Sequence, residues 1–503
     1  DIDGNRFPLE NEKKNARPGT IMVLTLDRPL PPKSTMKIEV EYSFLIPASD
    51  KASRQCRCDE TSFFMAYWYP QVAVYDDLHG WDKNGHDGQA EFYGDFSTYD
   101  VEISLPQNMM CWATGVWQNP SQLLDNQPLA RFNEAMKSDS VVHVFSEKDL
   151  EKGGLFKKAK RNVFHFKAEK VTDFAWACSD HYLWDACSVA PEKGRRTLVN
   201  AAYKPASKDY QQVAGIARKG IHLMSDYLPG YPYPYPTMSI FDGNDGMEYP
   251  MMCNDFSTSD DDVAGLTLHE VSHTYFPFLM GINEKLYAWM DEGWASFHDL
   301  TLEDTLKNKH GRVRGYAQIA GSELDVPMMA APSNELGRAY TSSTYWRPQA
   351  AYLTLLDLLG YDRFHAAQTE YINRWSYHHP MPFDFFNTYN NVLNTDLDWF
   401  WRPWFFEKGY PDLTLVSAEK QGEDLTIVVR NSGTLPLPLQ LTIEFANGKK
   451  MEHHDSAEIW KTAGQQSVSL AFKVDNPSEL KKVTLGGPRI PDVNLKDNVF
   501  EKK

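Results

Sequence analysis

His269-Glu270-Val271-Ser272-His273, followed after eighteen residues by Glu292, is the stretch from which the rest of this 503-residue chain can be read. Two histidines four apart on a helix point to the same side and can hold one metal ion. The glutamate between them is placed to activate a metal-bound water. A third ligand, Glu292, leaves a coordination position open. That favours a catalytic zinc over a structural one, because structural zinc is normally closed off by four protein ligands.

The flanking residues place this motif on a short helix. Asp260, Asp261 and Asp262 precede the apolar run, where negative charge suits a helix N-terminus. Pro277 prevents the helix from continuing far past His273. Glu292 lies in Trp289-Met290-Asp291-Glu292-Gly293-Trp294, which reads as the start of a second helix.

Composition narrows the function classes. A net charge of -17 and a pI near 5.4 argue against nucleic acid and against an anionic membrane surface as partners. No run of 18 apolar residues occurs, so no transmembrane segment is expected. The six cysteines are too few for a disulfide scaffold in a chain this long and are expected to be free. A chain that opens on Asp1 rather than Met is expected to be processed or trimmed, with a lean toward an extracytoplasmic (periplasmic or secreted) setting.

The expected fold class is a multidomain α+β protein, with a β domain over residues 1–205, a mainly helical zinc-bearing domain over 206–411 and a small β-sandwich over 412–503. In the first part, Met36, Ile38, Val40, Tyr42 and Phe44 alternate with mostly polar residues, as do Tyr99, Val101, Ile103 and Leu105, and both runs read as half-buried strands. Asp82 to Gly88 superficially suggests a calcium loop, but His86 stands where an oxygen ligand is needed, so a plain loop is expected. Val213, Ile216, Ala217, Ile221 and Met224 have helical spacing, and Thr237 to Phe241 reads as a short strand able to pair with an extended peptide. Another helix opens at Pro348 and closes at Gly360. Alternation returns in Leu439 to Phe445 and Val468 to Val474.

Gly246-Met247-Glu248-Tyr249 precedes the motif, with Glu248 21 residues before His269. This segment, the H-E-x-x-H, the eighteen-residue gap and Trp289-Met290-Asp291-Glu292-Gly293 together resemble the M1 family of zinc aminopeptidases, within the gluzincins. Phe400-Trp401 and Gly409-Tyr410-Pro411 resemble the close of that family's catalytic domain. In the thermolysin group the gap is one residue longer. The resemblance implies a thermolysin-like catalytic domain, one Zn²⁺ per chain on His269, His273 and Glu292, and Glu270 as general base. It implies peptide substrates with a free N-terminus, the α-amine held by Glu248 within the Gly246-Met247-Glu248 segment. Tyr345 matches by position the tyrosine that stabilises the transition state, with Tyr340 as the fallback.

This chain also departs from the family pattern. Asp245 and Tyr249 stand where G-x-M-E-N has its first glycine and its asparagine. Phe64-Met65-Ala66-Tyr67 offers neither the Glu nor the Gln that usually provides a second amine anchor. Set against the family pattern, the N-terminal domain is expected to lack some of the usual opening strands, and a small sandwich is expected where the family has a large helical C-terminal domain. A leukotriene-type epoxide hydrolase is therefore not expected. The expected activity is removal of single N-terminal residues through a zinc-activated water. The alternatives are an endopeptidase of the same chemistry and a catalytically silent binding protein with the same fold.

Overall fold

The computed structural model describes residues 1–10, 15–47, 54–86, 88–307, 313, 315–330, 337–462, 464–474 and 479–502. It is a multidomain α+β protein: strands dominate the first part, helices the middle, and two further sheets the end.

In the N-terminal region, the alternation at Tyr99 to Leu105 lies in a ten-residue strand, Ser97–Pro106, paired antiparallel to Arg161–Val171. A four-stranded sheet beside it orders Gln55–Arg57, Phe63–Met65, Trp176–Ser179 and Met110–Ala113. The run from Met36 to Phe44 is different. Only Ile38 pairs, in an isolated bridge to Ile2, and Val40 is 56% exposed. Alternation stabilises a strand only where a sheet offers hydrogen-bond partners and a face to bury against. Among the described residues this segment belongs to no sheet: its backbone bonds to Asp1 and Asp3 stop at Lys37 and Glu39, and Val40, Tyr42 and Phe44 stay exposed. The plain loop expected around Asp82 is present as far as His86; Asp87 lies outside the described residues.

A six-stranded mixed sheet joins this region to the helices, and takes strands from both sides of residue 205. Its order is Val142–Phe145, Leu183–Glu192, Arg195–Tyr203, Thr237–Asp242, Met252–Asp255 and Met247–Tyr249. Thr237–Asp242 runs parallel to both of its neighbours, with Ile240 opposite Ala201 and Cys253. Both of its hydrogen-bonding edges are therefore occupied, and it cannot accept a peptide as the sequence suggested. The sheet's edge is Met247–Tyr249, which places Glu248 opposite Cys253.

The motif helix, Val263–Ser272, packs between the helices Val213–Asp226 and Glu292–Lys307. It approaches the first through Gly220, where a Cβ would lie 2.6 Å from Leu268 Cδ2. The helical run ends as expected: Phe276, before Pro277, has φ -135° and ψ 106°. The helix expected from Pro348 to Gly360 is Arg347–Leu359. No helix among the described residues is long and apolar enough to cross a membrane.

At the C-terminus a three-stranded sheet (Leu413–Gln421, Asp424–Asn431, Ser467–Lys473) and a four-stranded one share a core. Leu425, Ile427 and Val429 from one, and Leu439, Leu441 and Ile443 from the other, are fully buried. All six cysteines are free.

Candidate active site

One helical turn separates His269 from His273, so their rings stand 4.9 Å apart, centroid to centroid. Their Nε2 atoms converge on one oxygen of Glu292, at 3.2 Å from His269 and 3.4 Å from His273. Each Nδ1 is taken by a carboxylate: His269 by Asp299 at 2.9 Å, His273 by Asp291 at 2.6 Å. A donor hydrogen on Nδ1 leaves the Nε2 lone pair for a metal, and carboxylate partners make the imidazole a better ligand. The Nε2 of His273 is buried with no hydrogen-bond partner.

A second possible ligand group, Glu248, His273 and Asp291, shares the same imidazole. It would use Nδ1, the atom already engaged by Asp291, so the Nε2 group with Glu292 is the better site. The electrostatics favour a cation. Burial works against charge on His269 and His273, yet the carboxylates around them outweigh it and hold both pKa values well above the ordinary range. Burial also opposes charge on Glu292, and the two imidazoles overcome it, so its carboxyl is held below the ordinary range. Glu248, Glu270, Asp291 and Asp299 are pushed up by burial. A divalent ion fits this donor set and balances its charge.

Glu270 is 4% exposed, and its Oε2 has no hydrogen-bond partner. Gly246 makes room for it: a Cβ there would meet Glu270 Oε1 and Leu266 Cδ1, each at 3.3 Å. Glu248, on the edge strand with Met247, is 3% exposed; its Oε1 is unpartnered and lies 3.7 Å from His273 Nδ1. Tyr345 donates its hydroxyl to Glu292 Oε1 at 2.6 Å and stacks over His269. Tyr340 is next to it, 6.2 Å between ring centroids, with a buried and unpartnered hydroxyl. Both tyrosines line a cavity of about 550 Å³ that opens onto His269 and Asp299, a volume suited to a small ligand.

The structure thus brings the eight residues singled out from the sequence to one place. It adds others. Asp291 and Asp299 were legible in principle: a histidine expected to ligate needs a partner for its second nitrogen, and Asp299 follows Glu292 by two helical turns. Arg54, Glu91 and Glu284 carried no local signal. Arg54 grips Glu91 with both guanidinium nitrogens and lies 3.8 Å from Asp245. Glu284 opens the four-residue helix Glu284–Tyr287 and accepts the Phe92 N–H at 3.1 Å.

Comparison with known proteins agrees with this geometry. The family model described as the peptidase family M1 domain matches residues 249–404. The chain is 23% identical over 280 residues to tricorn protease-interacting factor F2 of Thermoplasma acidophilum, a match covering 48% of this chain and 35% of that protein. It is 21% identical over 239 residues to aminopeptidase M1-C of Oryza sativa subsp. japonica, covering 42% and 26%. The chain therefore spans about a quarter to a third of the length of these curated relatives. In fold it is similar to the crystal structure of Legionella pneumophila aminopeptidase A in complex with aspartic acid, with a TM-score of 0.60 and 12% identity over 96% of this chain and 52% of that one. The matched segment runs from the last residue of the Glu248 strand, through both imidazoles and Glu292, to the end of the helical region, and over it the chain is similar to the peptidase family M1 domain.

Proposed function

We propose that this chain is a zinc-dependent aminopeptidase, with His269, His273 and Glu292 as zinc ligands. The observation that carries the reading is Glu248: a nearly fully buried carboxylate with an unpartnered oxygen, beside the ligand set. A buried carboxylate needs a cationic partner, and the α-ammonium of a peptide supplies one. An internal peptide segment has no such charge, which favours the exopeptidase over an endopeptidase of the same chemistry.

Zinc, when bound, supplies a Lewis acid that polarises the scissile carbonyl and lowers the pKa of water. The chain's own residues do the rest. Met247–Tyr249 is a sheet edge along which a peptide backbone can add, running past Glu248. Glu248 and Gly246 fix the N-terminal residue, which sets which bond is cut. Glu270 accepts a proton from the attacking water at its unpartnered Oε2 and passes it to the leaving amine. The Tyr345 hydroxyl, one bond from Glu292, is placed to turn toward the carbonyl oxygen as negative charge develops there. Asp291 and Asp299 keep both imidazoles in the ligating tautomer.

The test is release of free amino acids from a peptide library, with and without N-acetylation. The aminopeptidase reading expects release from free N-termini only, abolished by chelation and lowered by a factor of about 10² to 10⁴ in Glu270→Gln. Cleavage of acetylated peptides that survives Glu248→Ala points to the endopeptidase. No turnover in zinc-replete protein points to a silent binding protein.

A further inference from the structure

Four of the six cysteines, Cys111, Cys178, Cys187 and Cys253, are buried, and burial pushes each thiol up, away from reactivity. Cys56 and Cys58 differ. Their sulfurs lie 3.1 Å apart, joined by a thiol hydrogen bond. Cys56 is fully buried and Cys58 is partly exposed, so the pair has one inner sulfur and one that solvent reaches. Both stand at the end of the strand Gln55–Arg57, an outer strand of the four-stranded sheet, with Cys56 opposite Phe64.

The two thiols titrate as a unit. Loss of one proton is favoured, because the remaining thiol donates its hydrogen to the thiolate. Loss of a second is opposed by that same hydrogen bond and by burial. The Lys204 ammonium, 3.7 Å from Asp242, favours negative charge on either sulfur. One proton shared across so short a contact lets the charge appear on the exposed sulfur. An accessible thiolate with a second thiol behind it is the arrangement that exchanges with disulfides, the first attacking and the second resolving.

The same strand touches the segment that carries Glu248. Arg54 donates to Glu91 at 2.8 Å and lies 3.8 Å from Asp245. Asn244 donates its side-chain amide to the Cys58 carbonyl at 3.5 Å, and the Phe64 ring packs on Tyr249 at 5.3 Å between centroids. Residues two apart on an extended strand have Cα atoms about 6.6 Å apart, near the upper end of what a disulfide spans. Closing the bond therefore draws the strand end in and disturbs its contacts with Asn244 and Asp245.

We propose that Cys56 and Cys58 form a redox-active dithiol, oxidised reversibly to an intramolecular disulfide by small-molecule disulfides, and that oxidation loosens residues 243–249. The Cys58 thiolate attacks one sulfur of the oxidant and releases its other half. Cys56 then loses its proton and attacks the Cys58 sulfur, forming the protein disulfide and releasing the second half. Two electrons pass from the dithiol to the small disulfide, and two protons to the thiols released. Neither step draws on the aminopeptidase reading.

The test exposes the reduced chain to oxidised glutathione, quenches with an alkylating reagent and maps the peptides by mass. The parent is expected to lose two of its six thiols, the peptide holding Cys56 and Cys58 being two hydrogens lighter and unalkylated, with full recovery under dithiothreitol. Cys56→Ser is expected to stop at a stable glutathione adduct on Cys58, and Cys58→Ser, which lacks the exposed sulfur, to stay reduced. Hydrogen–deuterium exchange in 243–249 is expected to quicken by at least about threefold on oxidation of the parent and to stay unchanged in Cys58→Ser. Thermal unfolding of each variant reports whether it folds. A persistent glutathione adduct in the parent, a bond between Cys111 and Cys178 instead, or six unchanged thiols overturns the dithiol. A Cys56–Cys58 disulfide that leaves exchange in 243–249 unchanged overturns its link to the Glu248 segment.

Discussion

At the scale of single residues, the two cleft tyrosines separate by what they touch. Tyr345 is hydrogen-bonded to Glu292 and stacked on His269, whereas Tyr340 packs edge-on against Tyr345 and its hydroxyl has no hydrogen-bond partner. Tyr345→Phe is therefore expected to lower kcat by about 10² to 10³ with little change in KM, the usual cost of losing one oxyanion donor. Tyr340→Phe is expected to cost less than tenfold. Steady-state kinetics on an aminoacyl amide checks this, and the reverse order assigns the role to Tyr340. Asp173 gives a second prediction. Burial raises its pKa from 3.8 to about 6. Well below its unfolded value of 3.8 it is protonated in both folded and unfolded chains and costs nothing. As pH rises from about 4 to 6 the unfolded chain gives up this proton first, so stability falls, by about 3 kcal/mol in all. Above pH 6 the loss is constant. Asp173→Asn removes it, so the variant is expected to melt higher than the parent at pH 7 and at about the same temperature near pH 3. A variant no more stable at pH 7 would show that the hydrogen bonds from Tyr69, Gln71 and the Phe174 N–H already compensate the charge. Neither Asp173 nor Glu284 was legible in the sequence as a wall of the site. They lie 75 and 36 residues from Glu248, and the fold alone brings them together.

Among elements, legibility followed how local the determinant was. The motif helix is bounded by its own acidic run and by Pro277, and the strands Ser97–Pro106 and Leu439–Phe445 carry their alternation within one segment. Pairing is not local. The residues of Thr237 to Phe241 show a strand but not its two neighbours, and the alternation from Met36 to Phe44 shows an amphipathic pattern without a sheet to complete it. The helix that carries Glu292 illustrates a third case, a close approach invisible in the sequence. A Cβ on Gly293 would sit 2.5 Å from Pro348 Cβ and 3.2 Å from Tyr352, so the helices Glu292–Lys307 and Arg347–Leu359 meet there without space for a methyl. Gly293→Ala is expected to cost about 1–3 kcal/mol despite its better helix propensity. Because Glu292 is the adjacent residue, metal affinity is expected to fall at least tenfold as well. Gly215→Ala is the control: its Cβ would meet only Val141, at 3.9 Å, and a gain of up to about 1 kcal/mol is expected. Thermal unfolding and a competitive metal titration measure both. Loss of stability with unchanged metal affinity would mean that the helix shifts as a rigid body without moving the Glu292 carboxylate relative to the imidazoles.

For the whole molecule, the proposed site is expected to couple metal, protons and folding. The ligand set draws on two helices and is walled by the edge of the six-stranded sheet, so an ion bound there ties together elements from both sides of the core. Ligand binding to the folded state stabilises it by RT ln(1 + [L]/Kd), about 2.7 kcal/mol at a hundredfold excess over Kd. Stripping the metal at neutral pH is expected to lower Tm, and readdition of zinc to restore it. The pH dependence should differ between the two forms. In the metal-free chain the pKa values of His269 and His273 are raised by their carboxylate partners. Their charged forms therefore stabilise the fold fully below the unfolded imidazole pKa, near 6.5, and this contribution is lost as pH rises through the raised folded values. A metal must displace those same protons, so its affinity increases over the same range. The Tm difference between zinc-loaded and stripped protein is expected to widen steadily as pH rises from 6 to 8. His269→Asn, which keeps a polar side chain but loses the imidazole, is expected to reduce the difference at every pH. Scanning calorimetry of both forms across this range decides it: a difference that stays constant with pH would mean that the imidazoles are already neutral in the metal-free chain, and that the carboxylates around them do not hold their protons.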